Sequence, residues 1–179
     1  MLTIRFDQLG LRAGDRVLDV GAGFGRHVYE CARRGAEVVA LDYAADEVVQ
    51  TRATLGAMVV AGEIPGDRMA AALRGDATRL PFADDSFDVV IASHVLHGLR
   101  APERRRVYAE MNRVARHLVI VHDYNKNRAT LTDLVEWLEG GDYFNVIQRA
   151  QHEMEEVFCD VRAIDVALRA AWYICSPAK

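Results

Sequence analysis

Asp19-x-Gly21-x-Gly23-x-Gly25 follows the apolar run Val17–Val20. Glycine has no Cβ, so a ligand can lie against the bare backbone of such a loop. The N–H groups of the helix that opens next favour a negative group there. The pattern points to a nucleotide-like ligand. Asp42 comes 17 residues beyond Gly25, directly after Val38-Val39-Ala40-Leu41. An acid at that place can accept both hydroxyls of a ribose, or it can cap the helix that follows. Tyr43 can lie against a purine face or pack on the sheet. Asp76 can accept from a purine amino group, or serve as a turn residue before Leu80-Pro81-Phe82.

A second group of residues could move a proton. His94 and His97 are three apart, and one helical turn brings such positions together. His122 and Asp123 close the apolar run Leu118-Val119-Ile120-Val121; within a strand they point to opposite faces. His94, His97 and Asp123 are the candidate catalytic residues, since a base is needed where an acceptor must lose a proton. Packing or capping by His97, and simple pocket lining by His94, are the plainer uses. No metal site is expected, because two residues without further spaced ligands do not make one. Arg100 and Arg104-Arg105-Arg106 are interleaved with Glu103 and Glu110 and read as a solvated helix face.

These residues need a scaffold, and the chain supplies one by alternating short β-prone runs with helical patterns. Strands are predicted at 16–20, 37–41, 70–75, 87–92 and 117–122. The continuous apolar runs at Val89–Ala92 and Leu118–Val121 suit strands covered on both faces. All five strands end in polar or glycine residues, including Ser93-His94. In an open α/β sheet, that edge is where ligands bind. Phe24, Val28 and Cys31 stripe the first helix, which Gly35 stops. Val107, Met111, Val114 and Leu118 stripe another, opened by Pro102. Amphipathic segments follow at 131–138 and 146–158, separated by Gly140-Gly141. Two β-prone runs, Val161–Ala167 and Ala170–Cys175, form a closing antiparallel hairpin.

The 179 residues suit a single domain, 1–179. A net charge of −4 argues against a nucleic-acid groove. Cys31, Cys159 and Cys175 are too few and too widely spaced for a disulfide framework; each lies in an apolar run and is expected to be buried. No signal peptide is evident, and no run approaches the roughly 20 apolar residues of a membrane span. A cytoplasmic location is expected.

Taken together, Asp19-x-Gly21-x-Gly23-x-Gly25, Asp42, Gly75-Asp76-Ala77-Thr78-Arg79-Leu80-Pro81-Phe82 and Ser86-Phe87-Asp88-Val89-Val90 followed by His94-Val95-Leu96-His97 resemble class I S-adenosylmethionine-dependent methyltransferases. The small-molecule branch typified by ubiquinone- and menaquinone-biosynthesis enzymes is the most similar. The resemblance runs from about residue 11 to the closing hairpin. It implies a three-layer, Rossmann-like α/β fold, with a seven-stranded, mostly parallel sheet of order 3-2-1-4-5-7-6 and a C-terminal antiparallel hairpin. It also implies S-adenosyl-L-methionine as cofactor. Asp19, Gly21, Ala22, Gly23 and Gly25 would border its methionine part. Asp42 would hold the ribose and Tyr43 flank the adenine. Asp76 and Ala77 would meet the adenine edge, while Ser93 and His94 would border the sulfonium.

The implied activity is methyl transfer to a small-molecule acceptor, mainly by in-line positioning, without nucleic-acid or membrane partners. Two departures stand out: few residues precede residue 11, where the family often has covering helices, and no Asn/Asp-Pro-Pro-Tyr/Phe motif follows strand four. The pocket would then be open, or closed by a lid at 125–158 carrying Tyr143 and Phe144, or by the second subunit of a homodimer. A cofactor-binding partner or regulatory subunit without turnover is the alternative. A nicotinamide enzyme fits poorly, because its G-x-G-x-x-G fingerprint would need glycine where Arg26 stands.

Overall fold

The computed structural model describes residues 10–64, 70–125 and 143–179, with only the backbone described for 70 and 143–147. β1 (Arg16–Val20) leads through the glycine loop into α1 (Arg26–Arg33), then β2 (Glu37–Asp42), α2 (Ala45–Val60) and β3 (Ala70–Arg74). β4 (Phe87–Ser93) is followed by a 3-10 turn (Leu96–Gly98), α3 (Ala101–Val114) and β5 (Ala115–Tyr124). After α4 (Tyr143–Glu155), the hairpin of β6 (Asp160–Ala167) and β7 (Ala170–Ser176) closes the chain. The predicted segment at 131–138, the Gly140-Gly141 break and most of the predicted lid lie outside the described residues.

The seven strands order as β3-β2-β1-β4-β5-β7-β6. β1 to β5 pair in parallel, while β7 runs antiparallel to both β5 and β6. The chain builds outward from β1 to β3 and then returns to lay β4 on the other side of β1. That reversal leaves a crevice beyond the ends of β1 and β4, where a ligand fits an open sheet.

Helices cover the central strands on both faces, hence their unbroken apolar runs. One core joins Leu18, Val90 and Val119 to Val107, Met111 and Met154 of α3 and α4. The other joins Val17, Ile91, Ile120 and Trp172 to Val28 and Cys31 of α1.

Four expectations are corrected. Leu118 belongs to β5, not to the helical stripe: α3 stops at Val114 and the chain turns extended at Ala115 to pair with Phe87 of β4. Phe24 is 65% exposed, because it sits on the glycine loop before α1 begins. Cys159 is exposed between α4 and β6, whereas Cys31 and Cys175 are buried. Arg104 is not part of a solvated face. It is wholly buried and forms two bonds to Glu153 of α4, Nε to Oε2 at 2.6 Å and Nη2 to Oε1 at 2.8 Å.

Candidate active site

The loop after β1 is folded by its own glycines. Gly21 has φ +68°, and a Cβ there would come within 2.4 Å of the Val95 side chain. Gly25 has φ +74°, and its Cβ would meet Thr51 at 2.9 Å. Any other residue would meet strain at both places and displace packed neighbours. The Gly21 and Ala22 amides donate to the Leu41 carbonyl at 2.8 and 3.1 Å. The Thr51 hydroxyl donates to the Gly23 carbonyl at 2.9 Å. The loop is therefore fastened to β2 and α2.

Asp42, at the end of β2, is oriented by backbone on both oxygens. Its Oδ2 accepts from the Gly23 amide at 2.8 Å, and Oδ1 from the Ala44 amide at 2.9 Å. Each oxygen keeps a second lone pair for a ligand hydroxyl. Ala44, not Asp42, is the N-cap of α2. Asp76 is both a turn residue and part of the cleft wall. Its Oδ1 accepts from the Thr78 amide and hydroxyl, both at 2.8 Å, and those bonds hold its carboxyl below the usual range. Asp19 differs from both. It is 1% exposed, neither oxygen has a hydrogen-bond donor among the described residues, and burial with the nearby Asp42 charge pushes its pKa up to about 8.

A cleft of about 360 Å³ opens where these elements meet. Gly21, Asp42, Tyr43, Asp76, Ala77 and His94 all line it. Ala22, Gly23 and Gly25 complete the loop, and Asp19 lies two residues before it. Tyr43 does not pack on the sheet; it is 73% exposed, with the Arg74 guanidinium 5.7 Å from its ring centroid. Ser93 stands one residue behind His94, its hydroxyl 3.1 Å from His122 Nδ1.

Histidines gather beyond β4 and β5. His94 adopts a left-handed backbone, φ 55°, and its amide donates to the His122 carbonyl at 2.8 Å. Its ring centroid lies 4.7 Å from that of His122, 5.6 Å from Tyr124 and 6.1 Å from His97. Burial, with His94 nearby, lowers His122 to about 4, so its ring is neutral. His97 Nδ1 is 2.9 Å from Asp123 Oδ1. His122 and Asp123 do point to opposite faces, as strand alternation requires.

Sequence reasoning missed Thr51, Val95, Thr78 and Leu99. Thr51 and Val95 act on the glycine loop from another element and carry no local signal. Thr78 was legible as the hydroxyl that closes a turn on Asp76.

A parallel sheet with a strand-order reversal, an antiparallel β7, a glycine loop after β1 and an acid closing β2 define the class I methyltransferase architecture. Residues 18–120 match the family model described as a methyltransferase domain. The chain belongs to that family. Among curated relatives, demethylmenaquinone methyltransferase of Renibacterium salmoninarum is 39% identical over 110 residues, which cover 62% of this chain and 40% of that protein. Its counterpart from Corynebacterium glutamicum is 35% identical over 109 residues, covering 61% and 40%. The matched stretch thus spans about two fifths of those relatives' length. Among solved structures, an S-adenosylmethionine-dependent methyltransferase from Aquifex aeolicus superposes with TM-score 0.71 at 18% identity, covering 94% of this chain and 85% of that one. Geranyl diphosphate C-methyltransferase from Streptomyces coelicolor, solved with Mg2+, geranyl diphosphate and S-adenosyl-L-homocysteine, gives 0.68 at 11%, covering 96% and 77%.

Proposed function

We propose that this chain is an S-adenosylmethionine-dependent methyltransferase acting on a small-molecule acceptor. The carrying observation is Asp19, a buried carboxyl with no donor, set beside a loop and cleft of nucleotide-binding form. A buried carboxylate is costly, and His27, whose Nδ1 lies 3.9 Å from Asp19 Oδ2, is lowered to about 4 chiefly by burial and brings no charge; a ligand ammonium supplies both the charge and the donors that Asp19 lacks. S-adenosylmethionine carries that ammonium, a ribose for Asp42 and an adenine for the Asp76–Ala77 edge, with Tyr43 alongside. Once bound, it supplies an electrophilic methyl, which needs in-line placement and dry surroundings more than acid–base help.

On the acceptor side, Ser93 and His94 border the sulfonium, while His94, His97 and Asp123 supply the polar wall. The named relatives make a naphthoquinol-like ring the first acceptor to test. One domain, working in the cytoplasm alone or as a homodimer, completes the reading. No helix among the described residues is long and apolar enough to cross a membrane.

Calorimetry with S-adenosylhomocysteine and with NAD tests the cofactor. The expected result is binding of the first, with Asp42→Ala weakening it by about tenfold or more. Binding of NAD alone overturns the reading. Turnover of 1,4-naphthoquinol, or of any acceptor in a broader panel, excludes a non-catalytic binding partner.

A further inference from the structure

We propose that His94 sets the site's preference between the charged methyl donor and its neutral product, the donor being held well only when this imidazole is uncharged. The proposal rests on the methyltransferase reading and adds to it a specificity-determining residue and a dependence on pH.

The binding groups follow one another along the sheet edge in the order of the cofactor's own parts. The Asp76–Ala77 wall after β3 takes the adenine, and Asp42 at the end of β2 takes the ribose. The next strands in the sheet are β1 and then β4. Their ends close on each other, since a Cβ at Gly21 would come within 2.4 Å of the Val95 side chain. The sulfur joins the ribose to the amino-acid chain that runs to Asp19. It therefore falls at the β1–β4 ends, where His94 lines the cleft.

Of the side chains lining that cleft, His94 alone can carry a positive charge; Asp42 and Asp76 are acids and Tyr43 a phenol. Its backbone is held at φ 55° with the amide bonded to the His122 carbonyl. A left-handed histidine persists only where its surroundings impose it. The rings of His122, Tyr124 and His97 pack around it and limit its swing.

The neighbouring groups leave His94 as the variable charge on the ligand. From β5, His122 is lowered to about 4 chiefly by burial and is neutral. Asp123 would be raised by burial, but its bond from His97 holds it below its ordinary value. That carboxylate is 2.9 Å from His97 Nδ1, so a charge on His97 is met there. From α1, His27 is likewise lowered to about 4 chiefly by burial.

S-adenosylhomocysteine differs from S-adenosylmethionine only in lacking the methyl and the positive charge on sulfur. Asp19, Asp42 and Asp76 meet the same groups in both, so their contributions cancel in the ratio of the two affinities. The charge on His94 does not cancel, because it repels a sulfonium and not a sulfide. By linkage, the donor drives the proton off His94 and the product does not. Acid conditions would then leave the site filled with product.

Calorimetry of the full chain with each ligand, at intervals between about pH 5 and 8 where imidazoles titrate, reads this ratio. In the wild type, the donor's Kd divided by the product's should rise about tenfold or more from pH 8 to pH 5. The ratio should stay flat in His94→Gln and still rise in His97→Gln. Histidine 15N NMR on the wild type should find His94 neutral in the donor complex at a pH where it is protonated in the product complex. A flat ratio in the wild type overturns the proposal, as does a rise that His94→Gln keeps or His97→Gln abolishes. So does an identical His94 titration in the two complexes. Failure of the folded wild type to bind either ligand overturns the methyltransferase reading instead.

Discussion

At Asp19 the carboxyl has a pKa of about 8 in the folded chain, against an ordinary 3.8. Its protonated form is therefore favoured by folding and its ionised form is not. Stability from this group is fully present below about pH 4 and is lost as pH rises to about 8. Asp19→Asn removes that penalty. The variant's Tm should exceed that of the wild type by a margin that widens between about pH 4 and 8 and then levels. The same change should abolish tight S-adenosylhomocysteine binding. In the wild type, binding of the ligand ammonium draws the carboxyl back to its ionised form. Calorimetry near pH 7 in buffers of different ionisation heat should then record proton release. A Tm margin independent of pH refutes this account of Asp19. Its importance was legible as a residue type placed just before a glycine loop. Its lack of a donor was not, because a buried oxygen is defined by neighbours far away in sequence.

Between elements, the buried Arg104–Glu153 pair fastens α3 to α4, and Arg104 Nη1 also donates to the Leu99 carbonyl at 2.7 Å. Leu99 lines the cleft, so the clamp sets one wall of the site. Arg104→Ala strands Glu153 as a buried charge and should cost about 3–5 kcal/mol in urea unfolding. The double variant Arg104→Met/Glu153→Leu, which removes both charges and keeps the volume, should recover most of that loss. Equal losses for single and double variants would show that packing, not the charge pair, holds the helices together. The clamp had a signal in the sequence: positions 104, 107, 108 and 111 share one helical face, and the last three are apolar. The run Arg104-Arg105-Arg106 disguised it as a solvated patch. Strands were easier to read, since apolar runs bounded by glycine and polar residues need no distant partner. The α3–β5 junction was not, because no loop separates the two elements and Leu118 satisfies both periodicities.

Across the whole molecule, the proposed ligand site is assembled from the ends of β1, β2 and β4 and from the loop after β3, so it exists only when the central sheet is complete. Binding should then stabilise the global fold rather than one loop. At a hundredfold excess over Kd, a ligand that binds only the folded state adds about 2.7 kcal/mol. For a chain of this size that corresponds to a rise in Tm of about 5–10 °C. S-adenosylhomocysteine should produce that rise, and NAD none. Asp42→Ala, with affinity about tenfold weaker, sees only tenfold saturation at the same concentration and should keep about half the shift. The graded loss is the informative part. A ligand held elsewhere on the surface would shift wild type and Asp42→Ala equally, and that outcome would move the site away from the β1–β4 crevice.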